Sequence, residues 1–209
     1  MTISIQVHRK QRVVDRLCRA IARISPVMSC LMLLITVPAM SDAPKRRDIG
    51  ELFRAADAAG RVGLARKTKP VDVRAAKPGE VIVTTILGEG KETQSKPAKA
   101  GDMVVRNRCS ETGDESYLVA AEKFAARYDG PYGKPNKEGW SEYHPVSPKM
   151  RYFIVDRSEG DFVFTAPWGE EMVAKPDDAI VQSQDDPSDT YRVAAKSFKC
   201  TYEITKSPQ

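Results

Sequence analysis

Two stretches of this 209-residue chain repeat one another, and a repeat limits folding more than any single motif, because both copies must satisfy the same local rules. Ala98 to Gly130 reads AKAGDMVVRNRCSETGDESYLVAAEKFAARYDG, and Ala174 to Thr205 reads AKPDDAIVQSQDDPSDTYRVAAKSFKCTYEIT. With a two-residue gap in the loop, Asp102 meets Asp178, Tyr117 meets Tyr191, Phe124 meets Phe198 and Tyr128 meets Tyr202. Val119-Ala120-Ala121 falls on Val193-Ala194-Ala195 in the same alignment. Upstream, Met150 to Val155 (MRYFIV), Phe162 to Ala166 (FVFTA) and the turn Pro167-Trp168-Gly169-Glu170 mirror the segments before Ala98. The expectation is two copies of one β-rich unit, residues 66–130 and 143–205, joined by a Gly/Pro-rich linker, 131–142.

The copies are built from short β-branched runs. Val71 to Arg74 (VDVR) alternates, Val81 to Leu87 (VIVTTIL) ends at the turn Gly88-Glu89-Gly90, and Met103 to Arg108 (MVVRNR) follows. Phe124 and Tyr128, four apart, predict one face of a short closing helix. Ahead of them, in 40–65, Asp48 caps a predicted helix with the stripe Ile49, Leu52, Phe53 and Ala56, and Gly60 stops it. Its apolar face is too narrow for a core of its own, so it docks on a neighbour. Arg61 to Lys69 is basic and is expected to be a connector. The fold class is therefore α+β, mostly β: a leading helix and two similar barrel-like or rolled sheets, each closed by a short helix. Units of ~60 residues bury only ~60% of their unfolded surface, which predicts that the copies pack on each other.

Charge narrows the partners. The net +5 resides in residues 1–39, where Arg9, Lys10, Arg12, Arg16, Arg19 and Arg23 face only Asp15. The remainder is balanced but polarised, with 15 bases and 9 acids in 40–109 and 12 bases and 18 acids in 110–209. A neutral body lacks the basic footprint that drives nucleic-acid binding through counterion release. Attraction between the unlike halves is expected to help orient the copies.

Residues 1–39 admit several readings. Val13, Val14, Leu17, Ile21 and Ile24 fall at helical spacing among arginines, and Val27 to Ala39 is nearly all apolar for about a dozen residues. That run is too short to span a bilayer, so no transmembrane span is expected. It suits a signal-peptide core, with Val37-Pro38-Ala39 offering a cleavage site and an exported, periplasmic product. The alternative is translation from Met40, giving a cytoplasmic protein. A third reading is a retained amphipathic segment, 11–39, making peripheral membrane contact.

Chemistry-bearing motifs are sparse. His8 and His144 are the only histidines, and no P-loop, G-x-G-x-x-G, G-x-S-x-G or H-E-x-x-H is present. His144 is expected as an exposed linker residue beside Glu142. No catalytic, cofactor-binding or metal-ligating residue is assigned, and no cofactor is called for. Cys109 and Cys200 occupy non-equivalent places in the copies. They bridge if the chain is exported; otherwise Cys200 is a small core side chain beside Tyr202. Asp177, Asp178, Asp185, Asp186 and Asp189 match no calcium loop and suit turns. Asp102 and Asp178 are expected to bond the backbone at the turn before a strand. Trp168, at a hairpin tip, is either folded over its sheet or presented to a partner; Trp140 and Tyr132 are the other candidate partner contacts, although with Tyr143 they are rather expected to seal the groove between copies.

The succession KPVDVRA (Lys69 to Ala75), KPAKAGDMVV (Lys96 to Val105), GDESYLV (Gly113 to Val119) and EKFAARYD (Glu122 to Asp129) resembles the PGDYG family of small bacterial and phage proteins. The likeness covers residues 66–130, with the second copy a weaker match. The naming motif stands here as Ala100-Gly101-Asp102-Met103-Val104 and Pro176-Asp177-Asp178-Ala179-Ile180. The resemblance implies an architecture and no catalytic residues. Together these observations lead to an expectation of a non-catalytic binding or accessory module for a protein or small ligand. Two alternatives stand beside it: a small hydrolase using carboxylates such as Asp177, Asp178, Glu170 or Glu171, and an exported or envelope-associated structural protein.

Overall fold

The first strands of the two copies are exchanged. Residues 44–146 and 148–209 are described by the computed structural model, so the leader with its export, start-site and membrane-contact readings lies outside the described residues. In chain order come β1 (Lys45–Arg46), α1 (Ile49–Ala58), β2 (Gly63–Lys67), β3 (Val71–Ala75), β4 (Val83–Ile86), β5 (Gly90–Gln94), β6 (Met103–Asn107) and β7 (Ser116–Val119). Then follow α2 (Ala121–Arg127), β8 (Tyr128–Tyr132), β9 (Ser141–Pro145), β10 (Met150–Ile154), β11 (Phe162–Thr165) and β12 (Glu171–Ala174). The chain ends with β13 (Ala179–Ser183), β14 (Thr190–Val193), α3 (Ala195–Thr201) and β15 (Tyr202–Lys206). Among the described residues the protein is mostly β, with three α-helices, and no sheet closes into a barrel.

One five-stranded sheet runs β7-β6-β3-β9-β8 and the other β14-β13-β10-β2-β15, the same order element for element. In this correspondence β9, which straddles the start of the second copy, lies in the first copy's sheet between β3 and β8. Likewise β2, which straddles the start of the first copy, lies in the second sheet between β10 and β15. The segment expected as a basic connector is thus a central strand. GLARK has no β-branched residue, and its extended form comes from hydrogen-bonding partners on both sides rather than from propensity. The interval 131–142 similarly holds the end of β8 and the start of β9.

Both sheets are rolled. Tyr117 on one edge strand and Tyr128 on the other bring their hydroxyls to 3.0 Å. In a flat five-stranded sheet those edges would stand about 19 Å apart. α2 makes the short crossover between them, and α3 does so in the second sheet. Phe124 stacks on Tyr128 at 5.2 Å and Phe198 on Tyr202 at 5.0 Å; Tyr128 and Tyr202 are the first residues of the strands that follow each helix. Asp102 accepts from Lys99 N at 2.8 Å and from Ala121 N at 3.2 Å, tying the turn before β6 to the start of α2. Asp178 makes the same pair with Lys175 N at 2.8 Å and Ala195 N at 3.0 Å.

The two rolls fill their cores differently. Val71, Val73, Val105 and Val119 pack with Tyr143 in the first, and Met150, Tyr152, Val181 and Phe198 with Ala65 in the second. Tyr143 of β9 supplies bulk in one roll; in the other, Tyr152 of β10 takes that space and faces Gly63 of β2 in register. A Cβ on Gly63 would lie 2.5 Å from Lys206 O and 2.6 Å from the Tyr152 ring. Gly63→Ala is expected to lower stability by about 1 to 3 kcal/mol through overpacking. An unchanged urea midpoint would contradict this account of the β2 seat.

The leading helix forms as its pattern predicts. Asp48 Oδ1 accepts from Glu51 N at 2.9 Å, and Gly60 adopts the left-handed conformation just past the end. Leu52, Phe53 and Ala56 are buried against Phe153, Phe162, Phe164 and Met172, under a three-stranded sheet β1-β11-β12. Cys109 and Cys200, 91 residues apart with Cα atoms 6.2 Å apart, form a disulfide between the turn after β6 and α3. Cys200 is therefore a cross-link between halves, and the alternative of a packed thiol beside Tyr202 does not hold.

Candidate functional site

A cavity of about 430 Å³ lies between the halves, within the ~300 to 1,000 Å³ range of small-molecule sites. Its lining is pseudo-symmetric, since Tyr117 and Tyr128 enter from one half and Tyr191 and Tyr202 from the other. Within each pair the hydroxyls are hydrogen-bonded to each other. Burial, first of all, raises the pKa of all four phenols, that of Tyr128 to about 12, so they stay protonated at neutral pH and present O–H groups to the cavity.

Each half also sends a buried acid across to the other half's helix. Glu115, just before β7, accepts from Asn107 Nδ2 at 2.7 Å, from the Thr112 hydroxyl, and from Ser197 Oγ of α3 at 2.5 Å. Its counterpart Asp189, just before β14, takes Lys123 Nζ of α2 at 3.0 Å and the Arg127 guanidinium. Each acid sits two residues before a matched tyrosine, so the internal alignment held a signal for this pair.

Lys67 breaks the symmetry. Its counterpart by register is Pro145: Tyr202 pairs with Lys67, and Tyr128 with Pro145. Its backbone belongs to the second sheet, but its Nζ lies 2.5 Å from both Asn107 Oδ1 and the Tyr117 hydroxyl of the first half. The side chain is half-buried by accessible area yet surrounded by protein, as expected of a group facing an interior cavity. Burial, aided by Arg127 and opposed by Glu115, lowers its pKa from 10.5 to about 7.

Because the amine favours its neutral form in the fold, the unfolded chain binds the extra proton between about pH 7 and 10.5. Wild-type stability attributable to Lys67 therefore rises with pH across that window, by at most about 1.4 kcal/mol per unit. Lys67→Met should lose this slope; parallel pH–stability curves for the two proteins would refute it.

Glu92 on β5 also reaches the cavity. Burial pushes its pKa up to about 7 against the pull of Arg192, and Glu115, Asp178 and Glu89 add repulsion. The Arg192–Glu92 contact of 2.8 Å does not offset that burial, because the same guanidinium also serves Glu89 at 2.9 Å and Asp178 at 2.6 Å. No short motif in the sequence marks Lys67, Glu92, Glu115, Arg127 or Arg192.

Of the aromatic candidates, Trp168 folds inward. It lines the cavity, lies 6.2 Å from the Tyr191 ring and points its Nε1 at Thr93 Oγ1 at 3.4 Å. Trp140 is elsewhere, with Arg74 and Arg106 over its ring at 5.2 and 4.3 Å. Tyr132 is exposed and stacks on His144 at 4.3 Å, and His144 Nε2 lies 2.8 Å from Glu142 Oε1. Tyr143 packs on Phe124 inside the first roll. None of these three aromatics lines the cavity.

The carboxylates considered for hydrolysis are also committed elsewhere. Asp177 holds a left-handed turn position, φ 71°, matching Gly101, and pairs with Arg157 at 3.2 Å. Asp178 is occupied by the two backbone amides and Arg192. Glu171 pairs with Arg46, and neither Glu170 nor Glu171 lines the cavity. Asp186 accepts from Ser188 N at 3.0 Å and Ser188 Oγ at 2.5 Å as a turn former. Among the described residues no cluster of His, Cys, Asp and Glu could hold a metal ion, and no helix is long and apolar enough to cross a membrane.

The fold and site define a class: an internally repeated, strand-exchanged β protein with a largely apolar, tyrosine-lined cavity at the junction of its halves. No family model, curated protein or solved structure matches the chain.

Proposed function

We propose that the protein is a binding module for a small ligand held in the cavity between its halves, and that the ligand carries a carbonyl or carboxylate acceptor on an apolar or aromatic frame. One observation carries the reading: four protonated tyrosine hydroxyls and the Lys67 amine all line the same cavity. Hydrogen-bond donors set in a largely apolar lining recognise a ligand oxygen, which such a site orients by a few polar contacts. Trp168 supplies a flat apolar wall beside Tyr191. The PGDYG resemblance adds an architecture without assigned chemistry, so the ligand class rests on the cavity alone.

Saturation-transfer NMR with benzoate, benzaldehyde and benzylamine tests this. Benzoate and benzaldehyde are expected to bind and benzylamine to be refused; Tyr202→Phe should weaken benzoate by about two- to tenfold, the worth of one buried hydrogen bond. Binding of none of the three, or equal binding of the amine, would overturn the reading.

A carboxylate-based hydrolase is favoured by one observation, the raised pKa of Glu92 in the cavity. It predicts turnover of a phenyl ester that Glu92→Gln abolishes. For location, the Cys109–Cys200 bridge supports the exported alternative, because such bonds persist in oxidising compartments. The N-terminal sequence of the native protein, with the fraction it is recovered from, decides between export and a cytoplasmic start at Met40.

A further inference from the structure

We propose that Lys67 is a carbonyl-capturing amine, whose Nζ condenses reversibly with an aldehyde or ketone in the cavity to form an imine. The proposal rests on the cavity being a ligand site and assigns it a covalent chemistry. β2 carries Lys67 into the second sheet by strand exchange, and the side chain then reaches across the junction to the first half. There Nζ donates to Asn107 Oδ1 and to the Tyr117 hydroxyl, both at 2.5 Å. A deprotonated amine held by these two N–H bonds keeps its lone pair for an electrophile in the cavity.

Nothing nearby fixes the amine as a cation. Among the described residues Lys67 forms no ion pair. Asn107 stands between it and Glu115, donating its Nδ2 to that carboxylate at 2.7 Å. The other groups facing Nζ are the Tyr117 and Tyr128 rings, at 5.1 and 5.9 Å, Arg127 of α2, and Tyr202, its register partner on β15. Burial, the largest influence, together with Arg127 outweighs Glu115, so a substantial share of the amine is free base near neutral pH.

In the capture step the nitrogen lone pair bonds to the carbonyl carbon and the C=O π pair moves to oxygen. That oxygen takes a proton through the Tyr117 hydroxyl, which recovers one from the attacking nitrogen. The C–O bond then breaks, the second N–H proton leaves with the hydroxyl as water, and a C=N bond remains. No oxidant or reductant enters, and hydrolysis reverses the sequence. Tyr117 is suited to pass a proton without holding the charge, since burial keeps its phenol protonated and Tyr128 is hydrogen-bonded to it at 3.0 Å.

The test uses the intact wild-type chain, benzaldehyde as the probe, and cyanoborohydride to reduce any imine to a stable benzylamine. Peptide mapping after short exposure near pH 7 is expected to find the benzyl group on Lys67, accumulating on the order of a hundredfold faster than on the exposed Lys134 and Lys137. The Lys67 rate should level off above about pH 8, while the exposed lysines continue to climb. Labelling of Lys67 no faster than Lys134, or a rate still rising steeply above pH 9, overturns the proposal. If benzoate binds but Lys67 is not selectively labelled, the imine chemistry alone fails. If neither benzoate nor benzaldehyde binds, the cavity reading fails with it.

Discussion

Arg192→Met is expected to destabilise the protein by about 3 to 5 kcal/mol at pH 7, the cost of leaving buried carboxylates without their cation. The guanidinium, with 3% of its side chain exposed, holds Asp178 of its own half at 2.6 Å. It also holds Glu89 and Glu92 of the other half's hairpin, at 2.9 and 2.8 Å. Burial opposes its charge, but these acceptors overcome that and raise its pKa above the ordinary arginine value. Among the described residues, Glu89 is the one acid of the three with a second cation, Lys175 Nζ at 3.1 Å.

The pH dependence has a definite sign. Burial would raise Glu89, but Arg192 and Lys175 bring its pKa below the usual carboxylate value, so wild type keeps this stabilisation above about pH 4.5 and loses it as pH falls further. In the variant the penalty of the uncompensated buried charges disappears when the acids take up protons. The difference between the proteins should therefore shrink from pH 7 toward pH 5. Urea midpoints across that range test it, and a difference that stays constant, or is absent at pH 7, would show that Arg192 is not the hub of the junction.

Breaking the Cys109–Cys200 bond is expected to cost about 3 to 5 kcal/mol, because a cross-link between residues 91 apart removes much loop-closure entropy from the unfolded chain. The bond ties the turn that carries Thr112 and Glu115 to α3, which carries Ser197. Its loss should therefore also loosen one wall of the cavity and weaken benzoate binding. Non-reducing peptide maps should recover the two cysteines in one cross-linked product, and reductant should lower the urea midpoint. Equal midpoints with and without reductant, or both thiols alkylated in native protein, would refute the cross-link.

These two devices share a feature: each joins residues that no local pattern connects. The charge polarity of the sequence suggested that a basic first half meets an acidic second half. The junction in fact contains pairs of both directions, Lys123 and Arg127 of the first half with Asp189 of the second, and Arg192 and Lys175 of the second with Glu89 of the first. Net charge over a hundred residues does not report which few side chains become buried against each other.

What the sequence alone determined about this protein is its local order. The Asp48 cap, the Leu52-Phe53-Ala56 stripe, the β-branched runs of β3, β6 and β11, and the paired positions Asp102 with Asp178 and Phe124 with Phe198 follow from periodicity, capping and internal similarity. These depend on neighbours within a few residues, which is the range that sequence patterns encode. The tertiary structure alone decided the exchange of β2 and β9, the turning inward of Trp168, the Cys109–Cys200 bond and the placement of Lys67. GLARK carries no strand signal, because its conformation is set by two partner strands far along the chain. A cavity built from both halves exists only after those long-range pairings form, so its lysine could not be distinguished beforehand from any other residue of a basic segment.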